Sequence, residues 1–134
     1  MSKIYKFEYK IRLDDLDGQG HVGNANWLIL LERARIDLCE LIGYSYKNMV
    51  NTGLMGVVAK ANLKYYFQAY MDDVITLEIR LKDPTEKSFV IYHKCRNQDN
   101  KLCLVADIKL FFVDPNGKPS LLPKKFNDLF TNLL

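Results

Sequence analysis

The sequence lacks the features that define membrane and secreted proteins. Its 134 residues contain no run of about 18 apolar residues, so no membrane span is predicted. The first twelve residues, MSKIYKFEYKIR, alternate charged and apolar side chains, and they have no apolar segment of the kind found in a signal peptide. We therefore expect a cytoplasmic protein.

Cysteine is scarce, with only Cys39, Cys95 and Cys103 in the chain. The number is odd and no CxxC pair occurs, which argues against both a zinc site and a disulfide framework. Cys95 and Cys103 stand symmetrically about Asp99, at the tip of a predicted hairpin. We interpret them as two packed thiols rather than a redox pair. No metal ion or organic cofactor is predicted.

Two further absences restrict the function. The chain has no GxSxG motif, which excludes the serine nucleophile of an α/β-hydrolase. The net charge is only +3, and the basic residues are scattered among acidic ones, unlike the concentrated basic face of a nucleic-acid-binding protein. This mild positive charge suits an anionic small molecule.

The chain has the length and the 49% hydrophobic content of one ordinary domain, residues 1–134. Residues 4–12 alternate as a strand does, and residues 14–26 form a loop rich in Asp, Gly and Asn. A helix follows, capped by Asn24 or Asn26 and ended by Gly43. Its predicted apolar stripe consists of Trp27, Leu30, Leu31, Ala34, Leu38 and Leu41.

Four strand-like runs follow this helix. They cover about residues 56–68, 73–82, 87–97 and 101–113, and a hairpin at residues 98–100 joins the last two. Short helical segments are expected at residues 46–51 and 123–133. One long helix and five strands in this order predict an α+β fold, in which an antiparallel sheet wraps around the helix.

The loop before the helix is the part of the sequence that points to chemistry. It carries Asp14, Asp15 and Asp17 among glycines, and it leads directly into a helix N-terminus. Glycines let a backbone approach a ligand, and the free N–H groups of a helix start can polarise a carbonyl oxygen. A carboxylate beside such donors is what acyl transfer to water requires. The same residue types also form ordinary loops and caps.

The motif Asp15-x-Asp17-x-x-Gly20-His21-Val22-x-Asn24-x-x-Trp27, followed by Leu31-Glu32-Arg33-Ala34-Arg35, narrows this choice. It resembles the signature of the 4-hydroxybenzoyl-CoA thioesterase family, in which DxDxxGHVNNxxY precedes a helix carrying ExAR. Weaker likenesses extend the resemblance to about residues 9–123.

The resemblance implies a hotdog fold, a five-stranded antiparallel sheet around one long central helix. It also implies a homodimer or homotetramer, with an edge strand at residues 57–65 joining the sheets of two protomers. The family's catalytic aspartate falls on Asp17, and its oxyanion donor falls on the backbone N–H of Asn24. The implied partner is an acyl-CoA, with an acyl carrier protein as an open alternative.

Other residues are assigned with less support. His21 is a candidate acid–base group, although a role in ordering the loop is the favoured interpretation. His93 is interpreted as a core histidine with its hydrogen bonds satisfied, and Glu32 and Arg35 as a simple i, i+3 pair. The residues predicted to bind substrate are Gly20, Val22, Trp27, Tyr65, Lys87 and Ser88.

Two departures from the family motif involve Gly23, where many members have Asn, and Trp27, where most have Tyr. Neither is expected to touch the carboxylate. The predicted activity is hydrolysis of an acyl thioester to a free acid and a thiol, with Asp17 as general base or nucleophile. A hotdog hydratase or dehydratase and a non-catalytic acyl-binding protein remain the alternatives.

Overall fold

The computed structural model describes residues 3–133, with side chains through residue 130. Its elements, in chain order, are β1 (Tyr5–Lys10), a 3₁₀ turn (Leu13–Asp15), α1 (Asn24–Leu41), α2 (Tyr46–Thr52), β2 (Met55–Tyr65), β3 (Val74–Lys82), β4 (Ser88–Arg96), β5 (Leu102–Val113) and α3 (Lys124–Leu133). Each predicted strand is present, with ends that differ from the prediction by at most about three residues.

The strands form one antiparallel sheet in the order β1-β3-β4-β5-β2. This confirms the α+β class and the five-stranded antiparallel sheet, and it places β2 at an edge as predicted. The description as a sheet around a single helix is incomplete, because α2 and α3 accompany α1. Within the described residues, no helix is long and apolar enough to cross a membrane.

The sheet buries one face, and the alternation in sequence explains which one. In β3, Ile75, Leu77 and Ile79 are buried, whereas Thr76 and Glu78 between them remain partly accessible. The inward residues of β4 and β5 continue the same core. Successive side chains of a strand point to opposite faces, so this period of two fixes the register of the whole sheet.

Helix α1 packs its apolar stripe against this face. Trp27, Leu30, Leu31, Ala34 and Leu38 are all buried in the shared core. The inclusion of Leu41 in the stripe was wrong, since its side chain is 64% exposed. The helix ends at that residue, and Ile42 packs against the core in its place. Gly43 then turns the chain with a φ of +83°, as expected for the residue after a helix.

The predicted cap of α1 also needs correction. The N-cap residue is Gly23, and neither asparagine caps the helix with its side chain. Asn26 instead donates a hydrogen bond from Nδ2 to the backbone oxygen of Asp15, 2.8 Å away. This contact ties the acidic loop to the first turn of the helix.

An aromatic cluster fixes the opposite end of the sheet. Phe89, Phe112, Phe126 and Tyr44 lie with ring centroids 5.0 to 6.1 Å apart. Such aromatic pairs add to the stabilisation that their buried area provides. Because Phe126 belongs to α3, the cluster holds the C-terminal helix against β4 and β5.

Cys95 and Cys103 are buried free thiols near the β4–β5 hairpin. Burial raises the pKa of both thiols, and this is the largest cause of each shift. A protonated, buried thiol behaves as a small apolar group, which agrees with the interpretation of packed thiols.

Candidate functional site

The acidic loop is a tight, hydrogen-bonded turn. The backbone N–H of Asp17 donates to the oxygen of His21 at 2.8 Å, and the N–H of Gly20 donates to the oxygen of Asp17 at 3.2 Å. Gly20 has a φ of +84°, in the left-handed region that glycine adopts without strain. The backbone of Gln19 also donates to Oδ1 of Asp17 at 2.8 Å. The Asp17 carboxylate is therefore oriented by its own loop.

Asp15 holds the start of this loop. Its side chain is buried, and its Oδ2 accepts a hydrogen bond from the backbone N–H of Arg12 at 2.8 Å. Both carboxylates of the Asp-x-Asp motif accept a backbone hydrogen bond, but Asp15 is buried whereas Asp17 is exposed.

Gly23 brings the Asp17 carboxylate to the start of α1. A Cβ atom on Gly23 would lie 3.2 Å from Cβ and 3.7 Å from Oδ2 of Asp17. The loop folds back on itself, so these two residues, six apart in sequence, lie close together. Position 23 is therefore nearer to Asp17 than the motif suggested, and a larger residue here would press on the Asp17 side chain.

Asn24 is the first residue of α1, so its N–H is one of the four that have no acceptor within the helix. The Asn24 side chain accepts a hydrogen bond from the N–H of Ala25 at 3.0 Å. The positive end of the helix dipole lies at the same place. A carbonyl oxygen bound there would be polarised beside the Asp17 carboxylate.

His21 is in contact with Asp17 but is also held by other groups. Its Nδ1 lies 3.5 Å from Oδ2 of Asp17, and its Nε2 lies 3.1 Å from Oε1 of Gln19. The ring packs edge-on against Tyr70, with centroids 6.5 Å apart. These contacts suit a residue that orders the loop, and an acid–base role stays a prediction.

A cavity of about 280 Å³ opens beside the helix start. It is lined by His21, Val22, Asn24, Trp27, Tyr65, Tyr66, Phe67 and Gln68. Five predicted site residues are thus brought together from the loop, α1 and the end of β2. Tyr65 closes the group by donating from its hydroxyl to the backbone oxygen of Asn24 at 3.4 Å. Gln68 was missed, because nothing in sequence marks it apart from its place just after a strand.

Lys87 and Ser88 do not join this group. Ser88 is buried, and its hydroxyl lies 2.6 Å from that of Thr85, where it holds the β3–β4 turn. Ser88 pairs with Phe111 on β5, whereas Tyr65 pairs with Leu104 on the same strand. The two pairing positions on β5, Phe111 and Leu104, are seven residues apart, which in an extended strand is roughly 23 Å.

A second cavity, of about 330 Å³, lies further along α1. Its wall on α1 consists of Glu32, Arg35, Ile36, Leu38 and Cys39. The rest is apolar and comes from Met49, Gly56, Val58, Phe89, Ile91, Leu110, Phe112 and Phe126. Sequence reasoning did not find this space, because its walls come from six different elements.

The polar residues near this second cavity depart from prediction. Glu32 and Arg35 do not form an ion pair, and Nη1 of Arg35 is buried without a hydrogen-bond partner. Burial lowers the pKa of this guanidinium, while the charge of Glu32 opposes the shift. His93 is a core residue as expected, but both its ring nitrogens lack partners. Burial, with Arg35 as the second cause, lowers the pKa of His93 to about 3.

Comparison with known proteins adds independent findings. Residues 11–130 match the family model of the thioesterase-like superfamily. The acyl-CoA thioester hydrolase YbgC of Escherichia coli O6:H1 is 26% identical over 122 residues, which cover 90% of this chain and 91% of that protein. The match supports the broad family, whereas the narrower 4-hydroxybenzoyl-CoA resemblance stays a prediction.

Solved structures share the fold. The protein SAV2348 of Staphylococcus aureus, in complex with CoA, superposes with a TM-score of 0.91 at 14% identity, over 99% of this chain and 85% of that one. Slr0204 of Synechocystis, a 1,4-dihydroxy-2-naphthoyl-CoA thioesterase, gives 0.89 at 17% identity, over 98% of both chains. At these identities the likeness establishes the fold alone.

Proposed function

The chain is a thioester hydrolase that belongs to the thioesterase-like superfamily, and we propose that it hydrolyses acyl-CoA thioesters with Asp17 as its catalytic carboxylate. The observation that carries the proposal is the proximity of Asp17 to the start of α1, since a Cβ on Gly23 would lie 3.7 Å from Oδ2 of Asp17. Asp17 does not line the cavity itself, but its carboxylate lies 3.5 Å from His21, which does.

In this mechanism the thioester carbonyl oxygen accepts a hydrogen bond from the N–H of Asn24. That donor, aided by the helix dipole, stabilises the oxyanion that forms during attack, an effect worth about 3 kcal/mol in comparable sites. Asp17 either takes a proton from the attacking water or attacks the carbonyl carbon itself, forming a mixed anhydride that water then cleaves. Both routes release the acid and the thiol.

We further propose that residues 1–134 form one catalytic domain that works as a homodimer. β2 is an edge strand whose side chains are exposed on both faces, with Leu63 the one partly buried exception among its eleven residues. Val57 and Val58 are each 47% exposed. A long apolar edge of this kind is suited to pairing with the same edge of a second copy. The cavity beside Asn24 and Tyr65 would then lie at the protomer boundary.

The test is thiol release from acyl-CoAs of short, medium and long chain and from aromatic acyl-CoAs. We expect the wild type to release thiol, and Asp17→Asn to lower kcat/KM at least about a hundredfold, as for an essential acid–base group. Asp14→Asn is the matched control, since Asp14 is an exposed aspartate of the same loop, and it should keep nearly full activity.

Two results would contradict this proposal. A wild type that releases no thiol from any acyl-CoA would refute CoA thioester hydrolysis, and the same assay on acyl carrier proteins would then test the alternative substrate. Full activity of Asp17→Asn would remove the assigned role of that residue. A hydratase or dehydratase would change the acyl group without releasing free thiol, so the assay separates that rival as well.

A further inference from the structure

The second cavity has the size and position of an acyl-binding site. Its volume of about 330 Å³ falls within the range of small-molecule sites. It lies along the same flank of α1 that leads away from Asn24. Leu28, which is 40% exposed, and Arg35 are two helical turns apart, so they mark this flank. The two cavities share no lining residue, so an acyl group bound by its carbonyl at Asn24 would reach the second one over the exposed side chain of Leu28.

Arg35 is the unusual feature of this space. The surrounding walls are aliphatic and aromatic, yet they hold a guanidinium whose Nη1 is buried without a hydrogen-bond partner. Arg35 is only partly buried, but a buried polar atom without a hydrogen-bond partner is unfavourable. An acceptor beside Nη1 would therefore be stabilising.

No neighbouring side chain supplies an acceptor to Nη1 of Arg35. Glu32 lines the same cavity and its charge favours the charged guanidinium, but the two side chains form no ion pair among the described residues. The Cys39 thiol, whose pKa burial raises to about 11, is neutral at physiological pH. A bound ligand is therefore one source of an acceptor for Nη1.

We propose that the Arg35 guanidinium binds a carboxylate at the far end of the acyl group, so that the enzyme prefers the monothioesters of dicarboxylic acids. This inference rests on the proposed thioesterase function. Arginine matches a carboxylate with two parallel hydrogen bonds, and such charge-assisted bonds are strong. The apolar walls accommodate the methylene chain between the two ends.

The geometry sets the length of that chain. Arg35 follows Asn24 by eleven residues, a rise of roughly 16 Å along the helix axis. Helical side chains lean towards the N-terminus by about one turn, which leaves about 10 Å between the two binding points. A medium-length dicarboxylic acyl group spans this distance, and suberoyl-CoA is the probe we choose.

The experiment compares suberoyl-CoA with octanoyl-CoA, which lacks only the terminal carboxylate, in wild type and Arg35→Met. We expect the wild type to prefer suberoyl-CoA. Arg35→Met should lower kcat/KM for suberoyl-CoA by ten- to about a hundredfold, the loss typical of a buried charged pair. Its activity on octanoyl-CoA should change less than about threefold. Arg33→Met, on the exposed face of the same helix, should leave both substrates unaffected.

Each other outcome has a distinct meaning. Hydrolysis of both substrates without a preference, or an equal loss of both in Arg35→Met, would overturn the carboxylate site and leave the thioesterase function intact. Dissociation of the Arg35→Met oligomer in sedimentation would instead assign Arg35 to a subunit contact. A third result is an Arg35-dependent preference for 4-hydroxybenzoyl-CoA over benzoyl-CoA, with no preference for suberoyl-CoA. It would overturn the carboxylate site and show that Arg35 binds a phenolic oxygen instead. No thiol release from any acyl-CoA would refute the proposed function itself.

Discussion

At the residue scale, Gly23 controls the position of Asp17. Its φ of −69° suits any residue, so Gly23→Ala introduces no backbone strain. The new Cβ would stand 3.2 Å from Cβ of Asp17, closer than an ordinary contact, and the aspartate would shift by a few tenths of an ångström. Because small displacements of a catalytic group are costly, we expect kcat/KM to fall several-fold, up to about tenfold, with little change in the unfolding midpoint.

Gly18→Ala is the control for this prediction. Gly18 lies in the same loop, and a Cβ there would meet nothing within 4 Å. Thiol-release kinetics on both variants, with thermal unfolding measured in parallel, would check the claim. Equal activity of the two variants would show that the loop absorbs the extra methyl group without moving the carboxylate.

The composition of the site was only partly predictable. The loop, Asp17, His21 and Asn24 could be proposed from sequence because they are neighbours in one short motif. The proximity of Gly23 to Asp17 could not be predicted, since it depends on how the loop folds back on itself. Arg35 was interpreted as the partner of Glu32 on spacing alone, and that spacing does not reveal that the guanidinium is drawn inward to a cavity.

At the element scale, two glycines end two helices in the left-handed region, and only one is crowded. Gly43 follows α1 with a φ of +83°, and a Cβ at this position would be no closer than 3.5 Å to Lys125. Gly53 ends α2 with a φ of +72°, and there a Cβ would come within 2.9 Å of Cγ of Pro115. An alanine at either position would be strained by the positive φ, whereas only at Gly53 would its Cβ also clash with another residue.

We therefore expect Gly43→Ala to lower the free energy of unfolding by about 1 kcal/mol. Gly53→Ala should lose a further 1 to 3 kcal/mol, of the order seen for overpacked sites. Urea unfolding at one fixed protein concentration would measure both, because stability depends on concentration if the protein is a dimer. Equal losses would mean that the loop carrying Pro115 moves aside at little cost.

Elements were predicted better than their ends. The period-two pattern of β3 to β5 and the apolar stripe of α1 are repeated signals, so a single deviating residue does not hide them. The end of a helix has no such repetition, so an error of one residue is enough to misplace it. At the end of α1, Leu41 was assigned to the core in place of Ile42. The caps were misassigned because Asn26 binds Asp15, a contact made through the loop rather than along the helix.

At the scale of the whole molecule, one side of the chain exposes an apolar surface. The exposed residues of β2 adjoin a flank of α1 that carries Leu28 and Ile36, which are 40% and 51% exposed. Ten of the eleven residues of β2 are exposed, so this side lacks a full cover within residues 3–130. The hydrophobic patterns of one chain predict its fold, but they do not predict which surface a second copy would cover.

The proposed homodimer leads to the last prediction. Leu28→Glu places a charge on the exposed flank of α1 beside β2, and a second copy that covers this region would bury the charge without a partner, at a cost of several kcal/mol. We expect this variant to sediment as a monomer at concentrations where the wild type is a dimer. Leu121→Glu is the matched control, because Leu121 is 62% exposed but belongs to the segment before α3 and to neither β2 nor α1. If the cavity beside Asn24 is completed by the second protomer, thiol release by Leu28→Glu should fall together with dimer content and recover as protein concentration is raised. A wild type that sediments as a monomer, or a fully active monomeric variant, would instead show that one protomer holds the whole site.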